Sequence, residues 1–150
     1  MDIHYQIKRF DQLTTIELHN LLRLRIDVFV VEQECFYPEL DGRDPECLHV
    51  LGKDREHGIV AYTRILPAGL LYKEVSFGRV AVAQSHRGQG FGHSLLTKTL
   101  AAIEKQYGKV SIRISAQLYL TNYYQQYGFE RQGEGYLEDG IPHVEMLRGV

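Results

Sequence analysis

Residues 80–93, VAVAQSHRGQGFGH, limit what this chain can fold into more than any other stretch: an apolar strand passes through three alternating glycines into a helix. The helix is explicit. Between Phe91 and Tyr107, Leu95, Leu96, Leu100, Ile103 and Tyr107 share one face, Lys98, Glu104 and Lys105 lie elsewhere, and Gly108 stops it. A strand, a glycine turn and a helix start leave unpaired amides at the positive end of a helix dipole, and glycine lets an anion approach the backbone. Gly88, Gly90 and Gly92, with Arg87 at the mouth, are therefore a candidate phosphate site. The same glycines would equally serve a tight turn that binds nothing.

Periodicity organises the rest. Ile3, Tyr5 and Ile7 alternate with polar residues as a half-buried strand does. Thr14-Thr-Ile-Glu17 has the form of a capping box and opens a helix expected over 15–29, with Leu18, Leu21, Leu22, Arg25 and Phe29 at helical spacing. Residues 47–53 and 58–66 read as a hairpin around the charged turn 54–58, and a further strand covers about 74–83. Val110, Ile112, Ile114 and Ala116 alternate as another strand, LYLTNYYQQY reads as a short helix, and two weaker strands end the chain. The order β-α-β-β-β-α-β-α-β-β predicts one α/β domain over 1–150.

Spacing separates the phosphate-binding turns. A dinucleotide fingerprint needs G-x-G-x-x-G and an acid at the end of the next strand, but here the third glycine comes one place early and that strand ends in Gln117. A nucleotide P-loop needs G-K-[ST], and Gly92-His-Ser94 lacks the lysine. A net charge of −2 gives no general attraction for nucleic acid or anionic lipid. Two cysteines, Cys35 and Cys47, are too few for a disulfide scaffold and lack metal or redox spacing. No signal-peptide run and no span of roughly 18 apolar residues is present, so the expectation is a cytoplasmic protein without a membrane partner.

What does fit the turn is Arg87-Gly-Gln-Gly90-Phe-Gly92, which resembles the R/Q-x-x-G-x-G/A signature of the GCN5-related N-acetyltransferase (GNAT) family. Tyr123-Tyr124-Gln-Gln-Tyr-Gly128-Phe129 is similar to that family's F-Y-x-x-x-G-F segment. Leu24–Cys35, Glu39-Leu-Asp-Gly42 and Asp139-Gly-Ile-Pro-His143 resemble its ElaA-type subgroup. The resemblance implies a GNAT fold: a mixed central sheet of about seven strands flanked by about four helices. It also implies acetyl-CoA as co-substrate and no metal. Arg87, Gly88, Gln89, Gly90, Phe91 and Gly92 would hold the pyrophosphate. The backbone of Val80, Ala81 and Val82 would pair with the pantetheine arm, and Gln117 would add a contact.

Acetyl transfer to an amine needs a neutral amine, a partner for the oxyanion and a proton for the departing thiolate. The resemblance gives the proton to Tyr124 and the oxyanion to a backbone amide near Val82. Tyr119, Tyr123 and Tyr127 share the tyrosine segment, and rings at such spacing commonly pack a core. The base is where the chain departs from the family: the strand positions that often carry glutamate or histidine are Ser76 and Gly78. Glu32, Asp41, His49 and His143 are the remaining candidates.

The segment 32–47 carries Glu32, Glu34, Glu39, Asp41, Asp44 and Glu46 against Arg43 alone. Such a cluster would draw a cationic small-molecule or peptide amine towards Glu32, Asp41 and His143, or it is simply a solvated loop. The sequence thus predicts an acetyl-CoA-dependent N-acetyltransferase. A non-catalytic acyl-CoA-binding module is the alternative that the missing strand base keeps open.

Overall fold

The first helix is closed by its own side chains: Thr14 Oγ1 accepts from the Glu17 amide at 3.1 Å while the Glu17 carboxylate accepts from the Thr14 amide at 2.9 Å. Helix α1 (Thr15–Ile26) does not stop at 29 but continues as a widened π turn over Asp27–Glu32. The computed structural model describes residues 2–56 and 58–150; His57, in the expected hairpin turn, lies outside them. The strands are β1 (His4–Arg9), β2 (Leu48–Asp54), β3 (Gly58–Leu66), β4 (Ser76–Val82), β5 (Ile112–Gln117), β6 (Phe129–Glu138) and β7 (Ile141–Arg148). Two further helices are α2 (Phe91–Tyr107), with the bounds its periodicity predicts, and α3 (Thr121–Gln125).

Strands β1-β2-β3-β4 form one antiparallel sheet and β5-β7-β6 another. They meet at a parallel bridge, Val75↔Ile112, where the Arg113 amide donates to the Val75 carbonyl at 3.0 Å. The single mixed sheet expected from sequence is thus two antiparallel sheets joined at a point, flanked by three α-helices among the described residues instead of four. Pairing between strands distant in sequence decides this, and periodicity does not report it.

Apolar packing builds a layer on each side. On the front face, Leu21, Leu24 and Val28 cover Leu51, Ile59, Tyr62 and Ala81. On the back face, Leu95, Leu96 and Ile103 of α2 and Tyr124 of α3 cover Val50, Ile65, Phe77, Ile112, Ile114, Val144 and Met146. Each buried Leu, Ile or Phe contributes about 1.5–3 kcal/mol, so these layers hold both sheets in place. Among the described residues no helix is long and apolar enough to cross a membrane.

Candidate active site

Strands β4 and β5 leave their bridge side by side and then separate, so the second edge of β4 is unpaired along the opening. A bulge marks the separation. Tyr62 pairs with Ala81 and Arg64 with Gly78, which sets Arg79 and Val80 against the single residue Thr63. Arg79 takes φ +53°, a left-handed conformation that costs a non-glycine residue about 1–2 kcal/mol. Beyond the bulge the Ala83 amide donates to Val60 across the sheet at 2.8 Å, so by strand alternation the Val82 amide faces the opening.

The glycine turn lies past that edge. Gly88 (φ +78°) and Gly90 (φ +81°) hold left-handed backbone that other residues adopt only with strain, and a Cβ on either would meet nothing within 4 Å. Gly92 takes ordinary φ. The amides of residues 88–93 find no acceptor among the described residues, and Gly90, the residue that caps α2, offers no side chain to satisfy them. Gln89 and Phe91 lie in the same exposed turn. Arg87 donates from Nε to the Val82 carbonyl at 3.0 Å and pairs through Nη2 with Glu32 at 2.7 Å. Tyr5 of β1 steadies the helix start by bonding Ser94 at 2.6 Å. This assembly presents unpartnered amides beside open space, which is what an anion would need.

Tyr124 is buried in the back layer. Its ring packs on Phe77 (6.2 Å between centroids) and Phe129 (6.0 Å). Its hydroxyl has no hydrogen-bond partner among the described residues. Thr63 Oγ1 and Arg64 Nε are the fully enclosed side-chain polar atoms left without a partner there, so the Tyr124 hydroxyl, which is not among them, keeps an opening. Burial pushes its pKa up to about 12, with Tyr119 adding to the rise. The neighbouring rings are engaged otherwise: Tyr127 bonds His93, and Tyr123 packs edge-on against Tyr124 and Tyr127.

The acidic segment behaves differently from a solvated loop or an amine trap. Glu39 Oε2 accepts from Arg25 Nε and from Arg79 Nε, both at 2.7 Å. Asp44 accepts from Arg25 at 2.8 Å and Arg64 at 3.0 Å, and Asp41 takes Arg64 through both oxygens at 2.8 and 2.7 Å. Burial pushes Asp41 up, yet the Arg64 hydrogen bonds outweigh it and hold the carboxyl well below the usual range. The segment is pinned to α1, β3 and β4 by buried ion pairs that engage Glu39, Asp41 and Asp44, while Glu34 and Glu46 stay exposed.

The other candidates fall on separate elements. Glu32 holds Arg87. His49 is fully enclosed: Nε2–H donates to the Asp44 carbonyl at 3.0 Å, Nδ1 accepts from the Tyr62 hydroxyl at 2.6 Å, and burial lowers its pKa. His143 lies on β7 opposite Gln117, the last residue of β5, at the end where β5 has left β4. Cys47 is buried with its thiol pushed up to about 11 by burial, which does not suit a nucleophile. Cys35 donates to the Asp139 carbonyl at 3.5 Å, so the loop after the π turn touches the tip of the β6–β7 hairpin. Among the described residues no group of three His, Cys, Asp or Glu side chains is set to hold a metal ion.

Sequence reasoning missed three residues here. Arg25 sits in the apolar stripe of α1, and a charge in a buried stripe signals a buried partner. Tyr136 and Glu138, beside His143, follow from the two-residue Asp139-Gly140 turn, whose positive φ values at both positions close a tight hairpin.

Residues 27–148 match the acetyltransferase (GNAT) domain family. Protein ElaA of Escherichia coli is 39% identical across 99% of this chain and 97% of its own length. Its crystal structure superposes with a TM-score of 0.90, at 38% identity over 97% of this chain and 99% of that one. A crystal structure described as an acyl-CoA N-acyltransferase from Pseudomonas aeruginosa superposes with a TM-score of 0.94, at 40% identity over 99% of this chain and 100% of that one.

Proposed function

Because the chain belongs to the GNAT acetyltransferase family, we propose that it moves an acetyl group from acetyl-CoA directly to the nitrogen of a primary amine. One observation supports this reading: the Tyr124 hydroxyl has no partner among the described residues, and its ring packs on Phe77 of β4, the strand that leads into the turn with the free amides at the start of α2. The residues present suit coenzyme A. An open cradle at Gly88 and Gly90, with Gln89, Phe91 and Gly92 in the same turn, accepts a pyrophosphate on backbone amides. The unpaired edge of Val80, Ala81 and Val82 gives the amides of a pantetheine arm a strand to pair with, and Gln117 ends β5, the strand that parts from it.

In this reading the Val82 amide stabilises the oxyanion and the Tyr124 hydroxyl protonates the departing sulfur. A phenol held near 12 stays protonated at neutral pH, but it is a weaker acid than a free thiol of pKa about 8.5. Proton transfer is therefore downhill only while the sulfur is still partly bonded to the acyl carbon and more basic than a free thiolate.

The test is free-thiol release from acetyl-CoA with a panel of primary amines, with the acetylated amine identified by mass. Turnover that needs both substrates supports the reading. Tight acetyl-CoA binding without turnover for any amine would instead favour a non-catalytic acyl-CoA-binding module.

A further inference from the structure

The strand positions that face the front of the opening carry no base: Ser76 is buried, and a Cβ on Gly78 would meet no atom within 4 Å, so that position is open space. We infer that His143, two strands away, is the general base that takes the proton of the acceptor ammonium, an assignment that rests on the transferase reading above.

Elimination leads to it first. Glu32 is committed to Arg87, Asp41 to Arg64, and both ring nitrogens of His49 to Tyr62 and Asp44. His143 differs in the state of its ring. Nδ1 lies 2.7 Å from the Ile141 carbonyl, which can only accept, so the neutral ring carries its proton on Nδ1 and presents a bare lone pair at Nε2. No hydrogen bond occupies Nε2; Glu138 Oε2 stands 3.4 Å away, an acceptor for a proton that arrives there.

The ring is also held in place. A bulge in β6 between Gln132 and Tyr136 brings Tyr136 opposite His143, and the two rings stack at 22° with centroids 6.3 Å apart. Tyr136 in turn bonds Ser115 of β5. A base fixed on a strand by a backbone carbonyl and a stacked ring meets the demand that proton transfer makes on orientation.

The side of the sheet completes the argument. Val144 and Met146 point into the back layer that holds Tyr124, so His143, one residue out of phase, faces the front. Proton acceptor and proton donor thus lie on opposite faces. An ammonium R–NH3+ approaching from the front gives one proton to Nε2, which passes it to solvent. The freed nitrogen forms the C–N bond as the C–S bond breaks. Tyr124 protonates the sulfur, and the second nitrogen-bound proton replaces the one that Tyr124 gave up.

The groups around His143 are Tyr136 and Glu138 of β6, Glu145 of its own strand, Ser115 and Gln117 of β5, and Tyr72 of the β3–β4 connection, which lies near Tyr136. The test compares wild type with His143→Gln and His143→Ala, using the best primary alkylamine from the panel. Calorimetric affinity for acetyl-CoA and thermal unfolding are measured alongside. Both variants are expected to bind acetyl-CoA as wild type does and to lose about 100-fold or more in kcat/KM for the amine. Added imidazole should restore turnover to His143→Ala and not to His143→Gln, whose side chain fills the site. A wild-type enzyme that turns over while His143→Gln keeps more than half its rate overturns the assignment and leaves the transferase reading intact. Equal loss in both variants with no rescue by imidazole also overturns it, since a packing role would behave that way. Absence of wild-type turnover with every amine removes the transferase reading and this inference with it.

Discussion

Arg25 of α1 and Glu39 of the following loop meet at 2.7 Å with side chains 0% and 3% exposed, and the same carboxylate oxygen accepts from Arg79 on the bulge of β4. One oxygen therefore ties the first helix, the acidic segment and the edge of the opening together. Replacing Arg25 by Met leaves Glu39 and Asp44 short of a buried counter-charge, and breaking such a pair typically costs about 3–5 kcal/mol. Urea unfolding should show a loss of this size. A loss under about 1 kcal/mol would mean that the network does not hold the segment.

Tyr124→Phe keeps the ring between Phe77 and Phe129 and removes a hydroxyl that has no partner, so stability should change little. Turnover should fall about 100-fold or more at unchanged acetyl-CoA affinity. Because burial raises the wild-type phenol to about 12, Tyr124 should cause no fall of rate with pH below that value. A Tyr124-dependent fall already at pH 9 would contradict the buried setting.

Gly90→Val should abolish calorimetric binding of acetyl-CoA. The branched side chain occupies space that the fold leaves empty, and the φ of +81° adds strain of about 1–2 kcal/mol. The variant is expected to remain folded by circular dichroism. Wild-type affinity in that variant would remove the anion site.

Glu32→Gln should tighten acetyl-CoA binding rather than weaken amine binding. The Glu32 carboxylate competes for Arg87 at 2.7 Å, and both side chains are partly exposed, so the pair is worth no more than about 1 kcal/mol. The expected gain is up to about fivefold at low salt, shrinking at high salt. A raised KM for the amine instead would return Glu32 to the acceptor side.

Acid stability should report Glu17. Burial pushes its carboxyl up, but hydrogen bonds from Lys53, Lys8 and the Thr14 amide outweigh that and lower it from 4.5 to about 2. A carboxylate depressed in the folded state contributes stability that is complete above pH 4.5 and is lost as pH falls through about 2. Glu17→Gln should lower urea midpoints at pH 7 and flatten their pH dependence between 4.5 and 2. An unchanged slope would show that the two lysines do not hold this charge.

Local chemistry was legible in the sequence, and non-local pairing was not. The bounds of α2, the capping box at Thr14–Glu17 and the glycine turn follow from spacing within one segment, and the structure has each of them. The fate of the acidic segment was hidden because its partners, Arg25, Arg64 and Arg79, come from a helix and two strands that only folding brings together. Periodicity saw that β4 and β5 exist but not that they separate after one bridge. The tautomer of His143 depends on the Ile141 carbonyl two residues back, a contact made only once the hairpin turns at Asp139-Gly140.

The single bridge at Val75 and Ile112 also divides inheritance within the chain. The turn proposed for the donor pyrophosphate follows the four-stranded sheet, whereas Gln117, His143, Tyr136 and Glu138 belong to the three-stranded one. Helix α2 packs on both sheets through the back layer, so only the front face of the second sheet can change without reaching that turn. A lineage carrying this architecture has most room for change on that face.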